Sequence, residues 1–229
     1  MVQKSEAKPA GAKPAGAKPA GAKPAGAKRG RPRAYDPQTA LARAREAFWD
    51  SGFAATSLDE LSAATGMNRP SLYGAFGDKR ALYGQALDGY QSASRAAMRR
   101  ALDPSRSLAE GLNAVCAEAL SLYYSAAPAR GCFMIGTALT EAVRDAELRS
   151  ALSDGLQGFE EEFAARIRDG QERGEVSRGV DPAMLAKLAS GVLYFLAVRS
   201  RTGEKRTVLE AAAKAMVEFI CGAAERTRQ

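Results

Sequence analysis

The chain contains no histidine. That excludes imidazole metal ligands, a Ser-His-Asp triad and an imidazole general base. Its three cysteines, Cys116, Cys132 and Cys221, form no Cys-x-x-Cys pair, so a zinc ribbon or thioredoxin-like motif is excluded too. An odd count without a disulfide framework fits a reducing compartment. The sequence also lacks a phosphate loop of the form GxxxxGK[ST] and paired metal carboxylates. No catalytic residue, metal or cofactor is therefore expected, and the chain does not read as an enzyme. No apolar run approaches the roughly 20 residues that cross a bilayer. The basic N-terminus has no hydrophobic stretch behind it, so neither a secretory leader nor a membrane partner is expected.

Acidic residues are nearly missing from one segment. Residues 1–33 hold nine Lys and Arg against a single acid, Glu6, a charge of +8. The other 24 basic and 25 acidic residues leave −1, so the net +7 of this 229-residue chain belongs to its first segment. Such a segment predicts a polyanionic partner, most simply double-stranded DNA. Its pentad AKPAG runs four times from Ala7 to Gly26 and spaces the lysines evenly. Recurrent Pro and Gly, with no large apolar residue, predict a disordered arm over 1–34. Two readings of it stand: a solubilising linker, or an arm that lies along phosphates. Its end reads Lys28-Arg29-Gly30-Arg31-Pro32-Arg33. This resembles the AT-hook core, which would place Arg29, Arg31 and Arg33 in a narrow minor groove.

From Asp36 the sequence changes character. Asp36 caps a helix with Pro37 at its first position; Leu41, Ala44, Ala47 and Phe48 share one face, and Gly52 ends it. Ser57 with Glu60 three residues later is a capping box. Leu58, Leu61 and Ala64 follow on one face of a short helix that Gly66 breaks. Asn68 caps a third helix with Pro70 in its first turn and Leu72 and Phe76 inward. Gly77 closes it, and Asp78 caps a fourth from near Lys79. Two short helices about a glycine turn make a helix-turn-helix, whose second helix enters the major groove.

The stretch TSLDELSAATGMNRPSLYGAFGDKRALYGQAL, with Leu72-Tyr73, Phe76, Lys79 and Leu82 in place, resembles the TetR family of bacterial regulators over about residues 35–94. The resemblance implies phosphate contacts from Tyr73, from Lys79 and from Thr56 or Ser57, with Arg69, Pro70 and Ser71 facing base edges. Arg69 is the candidate for a bidentate guanine contact. Plainer roles stand beside these: Tyr73 as half-buried core, Arg69 as a solvated charge, Pro70 as a helix initiator. Gly74 and Ala75 depart from the family, which often carries a large side chain there. The span 34–95 has six basic and seven acidic residues, so the basic arm is expected to compensate for a bare reading helix.

Residues 96–229 show helical periodicity and no strand pattern. Helices are expected from about Ser107 to Ala126 and from Phe133 to Val143. A long one carries Leu148, Leu152, Leu156, Phe159, Phe163 and Ile167. Asp169 to Gly179 reads as turn, Asp181-Pro182 opens another helix, and the last carries Val208, Ala212, Met216, Phe219 and Ile220. The fold class is all-α, with a helix-turn-helix domain over 35–95 and a helical effector-binding and dimerisation domain over 96–229. The resemblance implies a homodimer through the last two helices and a pocket for an unknown small-molecule effector. Tyr123, Tyr124, Phe133, Met134, Phe159, Phe163 and Tyr194 are its candidate lining, although aromatics at helical spacing also serve as core. Cys132, after Arg130 and Gly131, is either a thiol of lowered pKa or a small buried residue. The resulting expectation is a cytoplasmic, nucleoid-associated, ligand-responsive repressor that binds a palindromic operator as a dimer. The alternative is an architectural protein that binds DNA non-specifically through its basic tail.

Overall fold

The computed structural model describes residues 36–222, so the arm and its candidates Arg29, Arg31 and Arg33 lie outside the described residues. Among the described residues all regular structure is helical. The helices are α1 (Pro37–Ala55), α2 (Leu58–Thr65), α3 (Arg69–Phe76), α4 (Lys79–Ala101) and α5 (Leu108–Tyr123). A π-helical turn (Met134–Ala138) precedes α6 (Leu139–Glu141), α7 (Ala146–Glu172), α8 (Pro182–Arg201) and α9 (Arg206–Gly222).

The caps read from the sequence are in place. Asp36 accepts from the backbone N–H of Thr39 (2.9 Å), and Ser57 and Glu60 satisfy each other's backbone donors. Gly52 (φ 80°) kinks α1 without ending it, and one further turn reaches Ala55. α1 buries Ala40, Ala44, Phe48 and Trp49, one face of a 3.6-residue period.

α4 is unbroken through residue 95, so the expected domain boundary falls inside a helix. Its first turn meets the reading helices, while Tyr90 and Met98 lie deep in the C-terminal helices. At its start Arg80 pairs with Asp145, the cap of α7, and with Glu147 (3.0 Å). The Arg80 guanidinium holds the Asp145 carboxyl down to about 2. Because the folded pKa lies below the unfolded one, this contribution is complete above about pH 4 and fades as pH falls toward 2. Asp145→Asn is expected to remove that part of the acid dependence, seen as a flatter plot of urea midpoint against pH.

α7 outruns its expected end. The run from Asp169 read as turn, yet the helix continues to Glu172. The buried Arg166 accounts for it: its Nη2 donates to Glu175 (3.0 Å) and to the Arg106 carbonyl (2.8 Å), and the Asp169 carboxylate stands 3.3 Å from Nη1, so the charge is paired inside the fold. Gly170 fits there because a Cβ would stand 3.2 Å from Leu108.

The expected helix over 133–143 begins as a π-helical turn. Thr137 donates to the Phe133 carbonyl (2.7 Å), so the Tyr83 hydroxyl donates to Thr137 (2.7 Å) and ties α4 to the turn. α8 overturns one expectation. With a mean hydropathy of 1.3 over its best stretch it is long and apolar enough to cross a membrane, and half of that stretch is buried in this fold. It packs on α7 and α9 as a core helix.

Candidate nucleic-acid interface

The reading unit is set by local chemistry. Gly66 (φ 70°) takes the left-handed conformation that turns α2 into α3. The Thr65 hydroxyl donates to Leu61 O (2.7 Å) and accepts from Met67 N (3.3 Å), bracing the turn. Asn68 accepts from Ser71 N (2.9 Å), and Asp78 from Ala81 N (2.8 Å). Leu61, Met67, Leu72 and Phe76 form the buried underside. The opposite face of α3 presents Arg69, Pro70, Tyr73 and Gly74 to solvent, with Ser71 and Ala75 half-buried at its margins.

Tyr73 is 46% exposed, so its ring is not core. Lys79 stands 4.6 Å above the Phe53 ring and 3.4 Å from the Ala54 carbonyl, a position that presents one cation beside α3. Ser57 lies at the surface in front of α2, and its oxygen accepts from Glu60 N (3.1 Å). Thr56, offered with it as a phosphate contact, is buried and spends its hydroxyl on Gly52 O (2.6 Å). Arg69 is not a free charge: it bonds Asp59 of α2 at 2.6 Å through Nη2 and 3.1 Å through Nε.

Two apolar hollows lie in the C-terminal helices. A cavity of about 500 Å³ is walled by Tyr90, Met98, Val115, Tyr123, Phe159 and Leu193, with Cys132 in its lining. Of the seven expected lining residues, Tyr123 and Phe159 are there. Phe133 and Met134 are fully buried instead, and the Phe133 ring packs on Trp49, Tyr83 and Tyr90. Phe163 is core, Tyr124 bonds the Glu204 carbonyl, and Tyr194 is half-buried outside the wall. The second hollow, about 450 Å³, lies between α8 and α9 and is lined by Leu188, Gly191, Val192, Met216 and Ile220 among others.

Cys132 departs from the reading that nearby charge lowers its pKa. Burial pushes the thiol up, and Tyr90 donates to its sulfur (3.4 Å). The Arg130 charge is engaged elsewhere, with Glu46 (2.7 Å), Asp50 (3.2 Å) and the face of Trp49 (4.5 Å).

The family model described as bacterial regulatory proteins, tetR family, matches residues 40–86, and the tetracyclin repressor-like C-terminal domain matches 109–216. A solved structure of the TetR family transcriptional regulator CifR, a cysteine mutant complexed with 26-bp double-strand operator DNA, is 33% identical. The match covers 82% of this chain and 98% of that one, with a TM-score of 0.75. The chain belongs to the TetR family. The HTH-type transcriptional repressor ComR of Escherichia coli K12 is 29% identical over 176 residues, 76% of this chain and 84% of that protein. Reduced NemR of E. coli, 17% identical with a TM-score of 0.70, shares the fold.

The sequence reading missed two parts of this TetR-family reading unit. Phe53, one residue past the glycine expected to end the first helix, carries Lys79 on its ring. Asp59 went unnoticed because its partner lies ten residues away across a turn; a carboxylate in the first turn of α2 facing a basic residue at the start of α3 was the available signal.

Proposed function

We propose that this TetR-family chain is a sequence-specific DNA-binding transcriptional repressor that binds a palindromic operator as a dimer and is released by a small molecule. One observation carries the reading: a capped helix-turn-helix whose second helix turns Arg69, Pro70 and Tyr73 outward beside the cation of Lys79. Tyr73, Lys79 and Ser57 serve as phosphate contacts, and Arg69 with Ser71 faces base edges. CifR bound to operator DNA and the repressor name of ComR support the same reading.

The last two helices supply the second copy's seat. Met184, Leu188, Val198, Val208 and Phe219 are large, apolar and exposed there, an unusual concentration for a surface. A twofold pairing of α8 and α9 would present two reading helices to an inverted repeat. The 500 Å³ cavity suits an apolar or amphipathic effector, since its few polar groups sit among aromatic and aliphatic walls. α4 supports coupling between the two sites, because one continuous helix carries Lys79 at one end and the cavity residues Tyr90 and Met98 at the other. An effector that favours one α4 position over another shifts the spacing of the reading helices. The protein acts in the bacterial cytoplasm, on the nucleoid.

Binding titrations of three variants test the DNA roles. Tyr73→Phe and Lys79→Ala are expected to weaken all sequences alike. Arg69→Ala is expected to relax preference at one base position, costing about 1–3 kcal/mol there. Equal losses on every sequence for all three would show that Arg69 does not read bases.

A further inference from the structure

The Asp59–Arg69 pair has no evident structural purpose. Both side chains are exposed, 53% for Arg69 and 77% for Asp59, and ion pairs so placed add little to folding. Asp59 also sets a negative charge on the surface that faces phosphates, in a span whose net charge, Asp59 included, is −1. Its geometry suggests a use. Arg69 is the first residue of α3, and Asp59 lies in the first turn of α2. A single oxygen, Oδ1, accepts from both Nε (3.1 Å) and Nη2 (2.6 Å) of Arg69. That occupies the side edge of the planar guanidinium. The end edge, Nη1 with the second N–H of Nη2, stays open, and this fork matches the O6 and N7 acceptors of guanine.

We propose that Asp59 is a positioning residue for base reading, which fixes the Arg69 guanidinium by its side edge and presents its end edge to a guanine in the major groove. The inference rests on Arg69 being a base contact. Arginine has four rotatable bonds, so ordering it before DNA arrives lowers the entropy cost of the contact and penalises any base that cannot meet the fork where it stands. Gly74 and Ala75 add no long side chain, which leaves Arg69 and Tyr73 as the long donors of the α3 surface; with Tyr73 assigned to phosphate, the orientation of Arg69 decides the base contact.

The test uses the full chain and an operator selected by it, with the set of its single-base-pair variants. Affinities are measured for wild type, Asp59→Asn, Asp59→Glu, Arg69→Ala and the double variant Asp59→Asn/Arg69→Ala, after thermal melting shows each one folded. Asp59→Asn is expected to hold or raise general DNA affinity, since it removes a negative charge, and to lower discrimination at one base pair by about 3- to 10-fold. Asp59→Glu keeps the charge but moves the carboxylate by one methylene, and is expected to lose discrimination without the gain in general affinity. In the Arg69→Ala background Asp59→Asn should leave discrimination unchanged. Intact or sharper discrimination in Asp59→Asn would overturn the proposal and make Asp59 a latch that withholds Arg69. An equal loss of discrimination in the Arg69→Ala background would overturn it as well. Should Arg69→Ala alone leave every base preference intact, the base-contact reading fails first and the inference falls with it.

Discussion

A chain beginning at Ala34 is expected to bind its operator with a salt dependence shallower by roughly four to seven in the log–log slope, the counterions released at about four to eight phosphates. The described reading unit is poor in cations. Its span carries −1, Arg69 is paired with Asp59, and α3 has only small residues at Gly74 and Ala75 before it ends at Phe76. Lys79 is the cation placed beside α3, and the first 33 residues hold +8. Attraction to phosphate is therefore expected to come mainly from the arm, and the base preference from α3. The deletion should therefore lower affinity for all sequences most strongly at low salt and leave the ranking of operator variants unchanged. Titrations of both chains between 50 and 200 mM salt (about the range over which such slopes are read) check it. An unchanged affinity and slope would remove the arm from DNA binding; loss of the ranking would give it the base-reading role.

Trp49→Ala is expected to destabilise the whole protein by about 3–5 kcal/mol, as large-to-small changes at buried aromatics do. At about 2–4 °C per kcal/mol for a domain of this size, that lowers the melting midpoint by roughly 6–20 °C. Trp49 belongs to α1 but packs edge-on to Tyr90 of α4 (5.3 Å) and against Phe133 (5.6 Å), beneath the Arg130 guanidinium. The same residue is thus core for the reading helices and for the C-terminal helices. A single cooperative transition should persist in the variant, shifted as a unit. Its indole N–H is buried without a partner, so Trp49→Phe, which removes that orphan donor and keeps a ring, should cost clearly less than the alanine change. Chemical denaturation followed at two wavelengths checks both. Two separated transitions would show that the reading helices melt independently.

Local signals in the sequence were sufficient for the N-terminal helices. Asp36, Ser57, Asn68 and Asp78 each sit one residue before a helix and bond its first turn, and Gly66 marks the one left-handed turn between the reading helices. The long stripe of α7 was legible for the same reason, as a period that neighbours cannot disguise. What escaped depends on partners distant in sequence. The end of α7 is decided by Glu175 and the Arg106 carbonyl closing on Arg166, and the π-helical turn by its contacts with α1, α7 and α8 and by the Tyr83–Thr137 hydrogen bond from α4. Phe133 and Met134 looked like pocket residues, but three aromatic neighbours bury Phe133 in the junction core. The cavity wall is instead assembled from four helices, and residues such as Val115 and Leu193 carry no signal that separates wall from core. Arg69 was visible as a basic residue at the right place, but its orientation depends on Asp59 in another helix.

The central claim is that two copies of the chain read one inverted repeat. Its most direct test is selection of bound sequences from random double-stranded DNA with the purified full chain, followed by native mass measurement of the complex on the recovered site. The account predicts a shared site with twofold symmetry, held by an even number of protein copies. Recovery of fragments in proportion to their length, with no common sequence and no fixed stoichiometry, would contradict it and leave the basic tail as the principal actor.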